Sequence, residues 1–94
     1  MDMVIRMIRK HIIFYGDVQG VGFRYRAYHA ARACGVSGWV RNLPDGSVEA
    51  ELEGEEKAID EMIMMIERGS YIRITDMSVR SMPVKGSHGF DVKD

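Results

Sequence analysis

The chain changes its hydrophobic period once, sharply, across a segment with three glycines in seven positions. Ile8 to Tyr15 is rich in β-branched and aromatic residues and predicts a first strand. Gly16 to Gly22 must then be a loop. From Phe23 the spacing becomes helical, with Phe23, Ala27, Ala30 and Cys34 recurring at intervals of four, three and four. Small alanines on that stripe let a helix pack close to a sheet, and Gly35 stops it. Strand, glycine loop and closely packed helix in that order call for a helix laid on a sheet, in a chain too short for a doubly wound one.

Val36 to Asn42 predicts a second strand, with Trp39 as its largest anchor. Leu43-Pro44-Asp45-Gly46 is a tight turn, because proline presets φ at the second position and glycine tolerates positive φ at the fourth. Ser47 to Glu53 alternates, with Val48, Ala50 and Leu52 inward and Glu49, Glu51 and Glu53 on a solvated outer face. Gly54 opens a second helix, with Glu55 and Glu56 at its positive end. Ile59, Met62, Ile63 and Ile66 form its core stripe, and Arg68-Gly69 closes it. Ile72 to Val84 contains a fourth strand, and Phe90 to Val92 adds a short edge strand. The order βαββαβ predicts a ferredoxin-like α+β sandwich, two helices on one face of an antiparallel sheet.

Ninety-four residues suffice for one domain, expected over 1–94, with residues 1–7 as an N-terminal extension. Thirteen basic against fourteen acidic side chains leave a net charge of −1, so no global field attracts nucleic acid or an anionic membrane. An anion site must therefore be built locally. Cys34 is the one cysteine, which excludes an intramolecular disulfide and favours a reducing cytoplasm. Met1 to Phe14 is interrupted by Asp2, Arg6, Arg9 and Lys10 and offers neither a signal peptide nor a membrane span. His11, His29 and His88 are too scattered for a metal set, and no cofactor is expected. Cys34 and the methionines Met62, Met64 and Met65 read as core filling, with a binding surface as the alternative for Met64 alone, and Arg6, Arg9 and Lys10 as a solvated basic cluster.

Two segments carry chemistry. In Gly16-Asp17-Val18-Gln19-Gly20-Val21-Gly22-Phe23-Arg24, successive backbone N–H groups can converge on an anion, helped by the helix N-terminus. Arg24 can fork two donors onto phosphate oxygens. The spacing is neither a P-loop, which needs Gly-Lys-Ser or Gly-Lys-Thr, nor a dinucleotide fingerprint, whose third glycine is Tyr25 here. Read alone, the segment fits equally a tight connection with Arg24 solvated. Asn42 ends the second strand. Its amide both donates and accepts, which suits orienting a water without ionising, and it also suits an ordinary turn.

Taken together, the segments resemble a known family. Gly16-x-Val18-Gln19-Gly20-Val21-x-Phe23-Arg24 resembles the phosphate-loop signature of the acylphosphatases. Gly38-Trp39-Val40-Arg41-Asn42-x3-Gly46-x-Val48-x5-Gly54 resembles their second signature, and the resemblance runs from Ile8 to about Val92. Phe14, where the family has an aliphatic residue, and Ser70, where proline is common, depart from it without removing a polar group. The resemblance implies hydrolysis of the carboxyl–phosphate bond of small acylphosphates, with Arg24 and Asn42 catalytic. It also implies that Gln19, Gly20, Val21, Gly22, Phe23 and Arg24 bind the phosphoryl group, or inorganic phosphate in its place. A monomer without metal, nucleic-acid or membrane partner is expected. Of the other readings, an RNA-binding module needs clustered aromatics and a basic field, which this chain lacks, and membership of a larger maturation enzyme needs domains beyond Asp94.

Overall fold

The computed structural model describes residues 5–94, so most of the expected extension over residues 1–7 lies outside the described residues. Seven elements follow: β1 (Met7–Asp17), α1 (Phe23–Cys34), β2 (Ser37–Asn42), β3 (Val48–Glu55), α2 (Glu56–Glu67), β4 (Arg73–Met82) and β5 (Phe90–Lys93). Met7, counted with the extension on sequence grounds, is already in β1 and pairs with Glu55. The sheet order is β4-β1-β3-β2-β5. Every pairing among the first four strands is antiparallel, as expected, whereas β5 runs parallel to β2, so the sheet is mixed.

Alternation decides which face is covered. Ile12, Phe14, Val40, Val48, Ala50 and Leu52 face the helices and are buried. Ala27, Ala30 and Ala31 of α1 and Ile59, Met62 and Ile66 of α2 meet them, with Ile63 partly buried beside them. Gly54 belongs to β3, which continues through Glu55 before α2 begins. Among the described residues no helix is long and apolar enough to cross a membrane.

The opposite face corrects three sequence expectations. Trp39 is not in the helix-packed core; that place belongs to Val40, while Trp39 lies on the other face with Lys93 Nζ 4.4 Å from its ring centre. Glu49, Glu51 and Glu53 are not a solvated row, and Arg9 is not a solvated cation. Arg9 is 3% exposed and Glu53 2%. Arg9 Nη1 donates to Glu53 Oε1 at 3.1 Å, and its Nη2 lies 2.8 Å from Glu51 Oε1. The backbone N–H groups of Lys85 and Ser87 donate to the two Glu53 oxygens at 2.7 and 3.0 Å. Strand alternation correctly puts the three glutamates on the face away from the helices. What it could not supply is the β4–β5 connection that folds over them.

Candidate active site

The sheet order explains why the two chemical segments meet. β3 is antiparallel to both β1 and β2, so β1 and β2 run parallel to each other and end at the same edge. The loop leaving β1 and Asn42 at the end of β2 are thereby brought together. Arg24, Asn42, Gly20 and Gly22 line one open depression of about 220 Å³ at that edge.

The loop is shaped by glycine conformations that other residues rarely adopt. Gly20 has φ 72° and Gly22 φ 81°, both left-handed, and a Cβ built on either would meet nothing within 4 Å. The backbone there is thus both constrained and uncovered. Gly22 is the N-cap of α1 and supplies no side-chain cap, and the first turn carries no acidic residue. The first intrahelical hydrogen bond shown is Arg26 N–H to Gly22 C=O at 3.0 Å, which leaves the N–H donors before Arg26 without helical acceptors. Free donors and the positive end of the helix dipole favour an anion at this point.

Arg24 is the second residue of α1 and half-buried, and its Nη1 donates to the Lys93 carbonyl at 3.3 Å. One edge of the guanidinium is thus steadied by β5. Asn42 is half-buried at the foot of the hairpin. The turn is held by other groups: Leu43 N–H donates to Ser47 C=O at 2.9 Å, and Ser47 N–H to Asp45 Oδ1 at 2.9 Å. The Ser47 hydroxyl and N–H hold the Asp45 carboxyl below its ordinary value. Asn42's amide takes part in none of these bonds.

Of the residues expected at the phosphate, Gln19, Gly20, Gly22, Phe23 and Arg24 line the depression, while the Val21 side chain packs against the core. Gln19 has a role that its place in the loop did not reveal. Its Nε2 donates to Leu43 C=O at 2.7 Å and to Ser47 C=O at 2.8 Å, tying the glycine loop to the hairpin. Tyr25, which sequence reasoning passed over, forms part of the rim, 71% exposed, and its ring meets His29 edge-on. Aromatic exposure so near a glycine loop has no periodic signature in sequence.

The walls of the depression contain no carboxylate, imidazole or thiol. Among the described residues no cluster of His, Cys, Asp and Glu is arranged to hold a metal ion. Cys34 is half-buried, its thiol 3.5 Å from Met65 Sδ; burial, with Glu61 as a lesser cause, pushes its pKa up. A larger hollow of about 670 Å³ lies between the end of α1 and the β4–β5 connection, but it lacks both the glycine loop and Arg24.

The acylphosphatase family model matches residues 10–92. The chain belongs to the acylphosphatase family. It is 43% identical over 89 residues to an acylphosphatase of Thermococcus kodakarensis, covering 94% of this chain and 98% of that one. The crystal structure of acylphosphatase from Bacillus subtilis superposes with a TM-score of 0.85 at 36% identity, covering 93% of this chain and 99% of that chain. A similar fold, 30% identical with a TM-score of 0.83, occupies 13% of the full-length HypF crystal structure and matches all of this chain. The family identifies the protein as a hydrolase of acylphosphates.

For an acylphosphatase of this geometry, Gln19→Ala should loosen the link between the loop and the hairpin. Misplacement of groups by a fraction of an ångström lowers turnover, so kcat should drop by roughly 10- to 100-fold. Loss of two hydrogen bonds should cost about 1–3 kcal/mol of stability. Steady-state kinetics beside thermal melts check this; unchanged kcat in a destabilised variant would restrict Gln19 to a purely structural role.

Proposed function

We propose that Arg24 and the N–H groups of the Gln19–Phe23 loop hold the phosphoryl group of a small acylphosphate while Asn42 orients the attacking water. The observation that supports this reading best is the convergence of Arg24, Asn42 and an uncovered, uncapped glycine loop on one depression.

The chemistry fits what is absent from the walls as well as what is there. Water attacks phosphorus, the bond from phosphorus to the acyl oxygen breaks, and its electron pair leaves on the carboxylate. Taking glutamate as a guide, the departing acid has a pKa of about 4.3 and needs no proton at neutral pH. A general acid is therefore dispensable. The proton released by the water passes to a phosphate oxygen. Catalysis then rests on positioning and on stabilising charge at the equatorial oxygens, which a guanidinium and aligned N–H groups supply.

The depression is lined from one chain, so a single protomer suffices as the catalytic unit, and turnover needs no metal. A cytoplasmic location accords with the lone free thiol. The test is hydrolysis of a simple aromatic acylphosphate by the purified protein in excess chelator. Chelator-insensitive release of carboxylate and phosphate, inhibited competitively by inorganic phosphate, is expected. Folded protein that leaves the acylphosphate intact would overturn the reading.

A further inference from the structure

A phosphoryl group held against the glycine loop and Arg24 leaves its acyl group to extend over the rim of the depression. The walls offer that group few surfaces. Val18 and Phe23 are buried, and the amide of Gln19 is taken up by the hairpin carbonyls. Gly20 and Gly22 present backbone, and Arg24 and Asn42 present polar groups. Tyr25 is therefore the one large apolar surface that the walls expose.

That ring is braced along α1. It meets the His29 ring at 4.4 Å between centroids and 60° between planes, and His29 meets Tyr28 at 5.3 Å and 90°. Arg32 Nη1 donates to the Tyr28 hydroxyl at 3.0 Å and closes the run. A ring held edge-on by one neighbour can still take a second, stacked partner. Tyr25 is also a wall of a second hollow, of about 210 Å³, which Arg26, His29, Ala30 and Met65 complete. The hollow and the depression thus adjoin across one shared side chain. Arg26 is fixed there, its Nη2 donating to Met65 C=O at 2.8 Å, and it takes part in none of the ion pairs among the described residues. A guanidinium plane, a thioether and two aromatic rings favour a flat π-system over a short aliphatic chain.

We propose, granted that Arg24 and the loop hold the phosphoryl group, that Tyr25 and this hollow form an acyl subsite selecting aromatic over small aliphatic acylphosphates. The aryl group lies on the Tyr25 ring, and His29 is the positioning residue behind it. This contact is the same before and during phosphoryl transfer, so it acts on KM rather than kcat.

Kinetics with benzoyl phosphate and acetyl phosphate on the same preparation test this. Both substrates meet the same folded fraction, so the ratio of their kcat/KM values is blind to a loss of stability. The wild-type protein should favour benzoyl phosphate. Tyr25→Ala should lower that preference roughly tenfold and His29→Ala about threefold, both through KM, while Tyr25→Phe should keep it. A preference that survives Tyr25→Ala or His29→Ala, or that is lost in Tyr25→Phe, overturns the subsite and leaves Arg24 and Asn42 in their roles. Wild-type protein that turns over acetyl phosphate as well as benzoyl phosphate does the same. Folded protein inert towards both substrates overturns the phosphoryl site itself, and the subsite with it.

Discussion

Arg24→Ala is expected to lower kcat/KM for an aromatic acylphosphate by about 100- to 1,000-fold, the equivalent of about 3–4 kcal/mol of transition-state stabilisation. The same variant should lose inhibition by inorganic phosphate, because the guanidinium is the one side-chain cation in the depression. Arg24→Lys should recover little, since an ammonium cannot reproduce a planar two-donor fork. Asn42→Ala should fall in the same range in kcat but keep phosphate inhibition, because its proposed task is to aim a water rather than to bind the anion. The contrast between these variants matters more than either loss alone. If Asn42→Ala lost phosphate binding, or Arg24→Ala kept it, the two roles would have to be exchanged or abandoned. Circular dichroism and thermal melts establish that each variant is folded.

The largest effect on stability is expected from Arg9→Ala. Removing the guanidinium leaves the Glu53 carboxylate buried and short of a counter-charge, and breaking such a buried pair costs about 3–5 kcal/mol. That is a large share of the roughly 5–15 kcal/mol available to a domain of this size. The acid response gives a sign test. Burial pushes the Glu53 carboxyl up, but the Lys85 N–H, Arg9 and the Ser87 N–H outweigh it and hold it below its ordinary value. Glu51 is likewise pushed up by burial and brought below the ordinary value by Arg9 and Lys85, and Glu49 is lowered chiefly by its hydrogen bond with His11. Depressed native values mean that the unfolded chain binds more protons in acid. Their stabilisation is therefore complete above the ordinary carboxylate range and is lost as pH falls through the depressed native values. In Arg9→Ala the main counter-charge of Glu53 is gone, burial prevails, and protonation should relieve the strain. Urea unfolding near neutrality and at about pH 4 should show the deficit of Arg9→Ala shrinking in acid. A deficit independent of pH would assign the loss to packing instead.

Most of the architecture was legible because its signals are local. The helical recurrence of Phe23, Ala27 and Ala30, the Leu43–Gly46 turn and the stripe of Ile59, Met62 and Ile66 each lie within a few turns of chain, and each appears where the spacing placed it. The meeting of Arg24 and Asn42 was not legible from spacing. It depends on β3 lying between β1 and β2, a fact of sheet order, and only family resemblance linked the two residues in advance. The fate of Arg9 and Glu53 was hidden for a similar reason. Alternation places Glu53 outward, correctly, but its cover arrives from Lys85 and Ser87, remote in sequence and without any period. Gln19 shows a third kind of opacity. Its partners are two backbone carbonyls, and carbonyls are present at every position.

The pairing of β5 with β2 also sets an order in time. The hairpin of β2 and β3 closes over the short Leu43–Ser47 connection, and α1 and α2 need only neighbouring residues, so these parts can form within microseconds. By contrast, Gly38 must find Phe90 and Arg9 must find Met82 across most of the chain. Loop closure of that length has to be met before the contact rewards it, so the outer strands are slow to dock and govern the folding rate. β5 is also the strand whose Lys93 carbonyl steadies Arg24. During refolding, secondary structure should therefore return before the phosphate grip does.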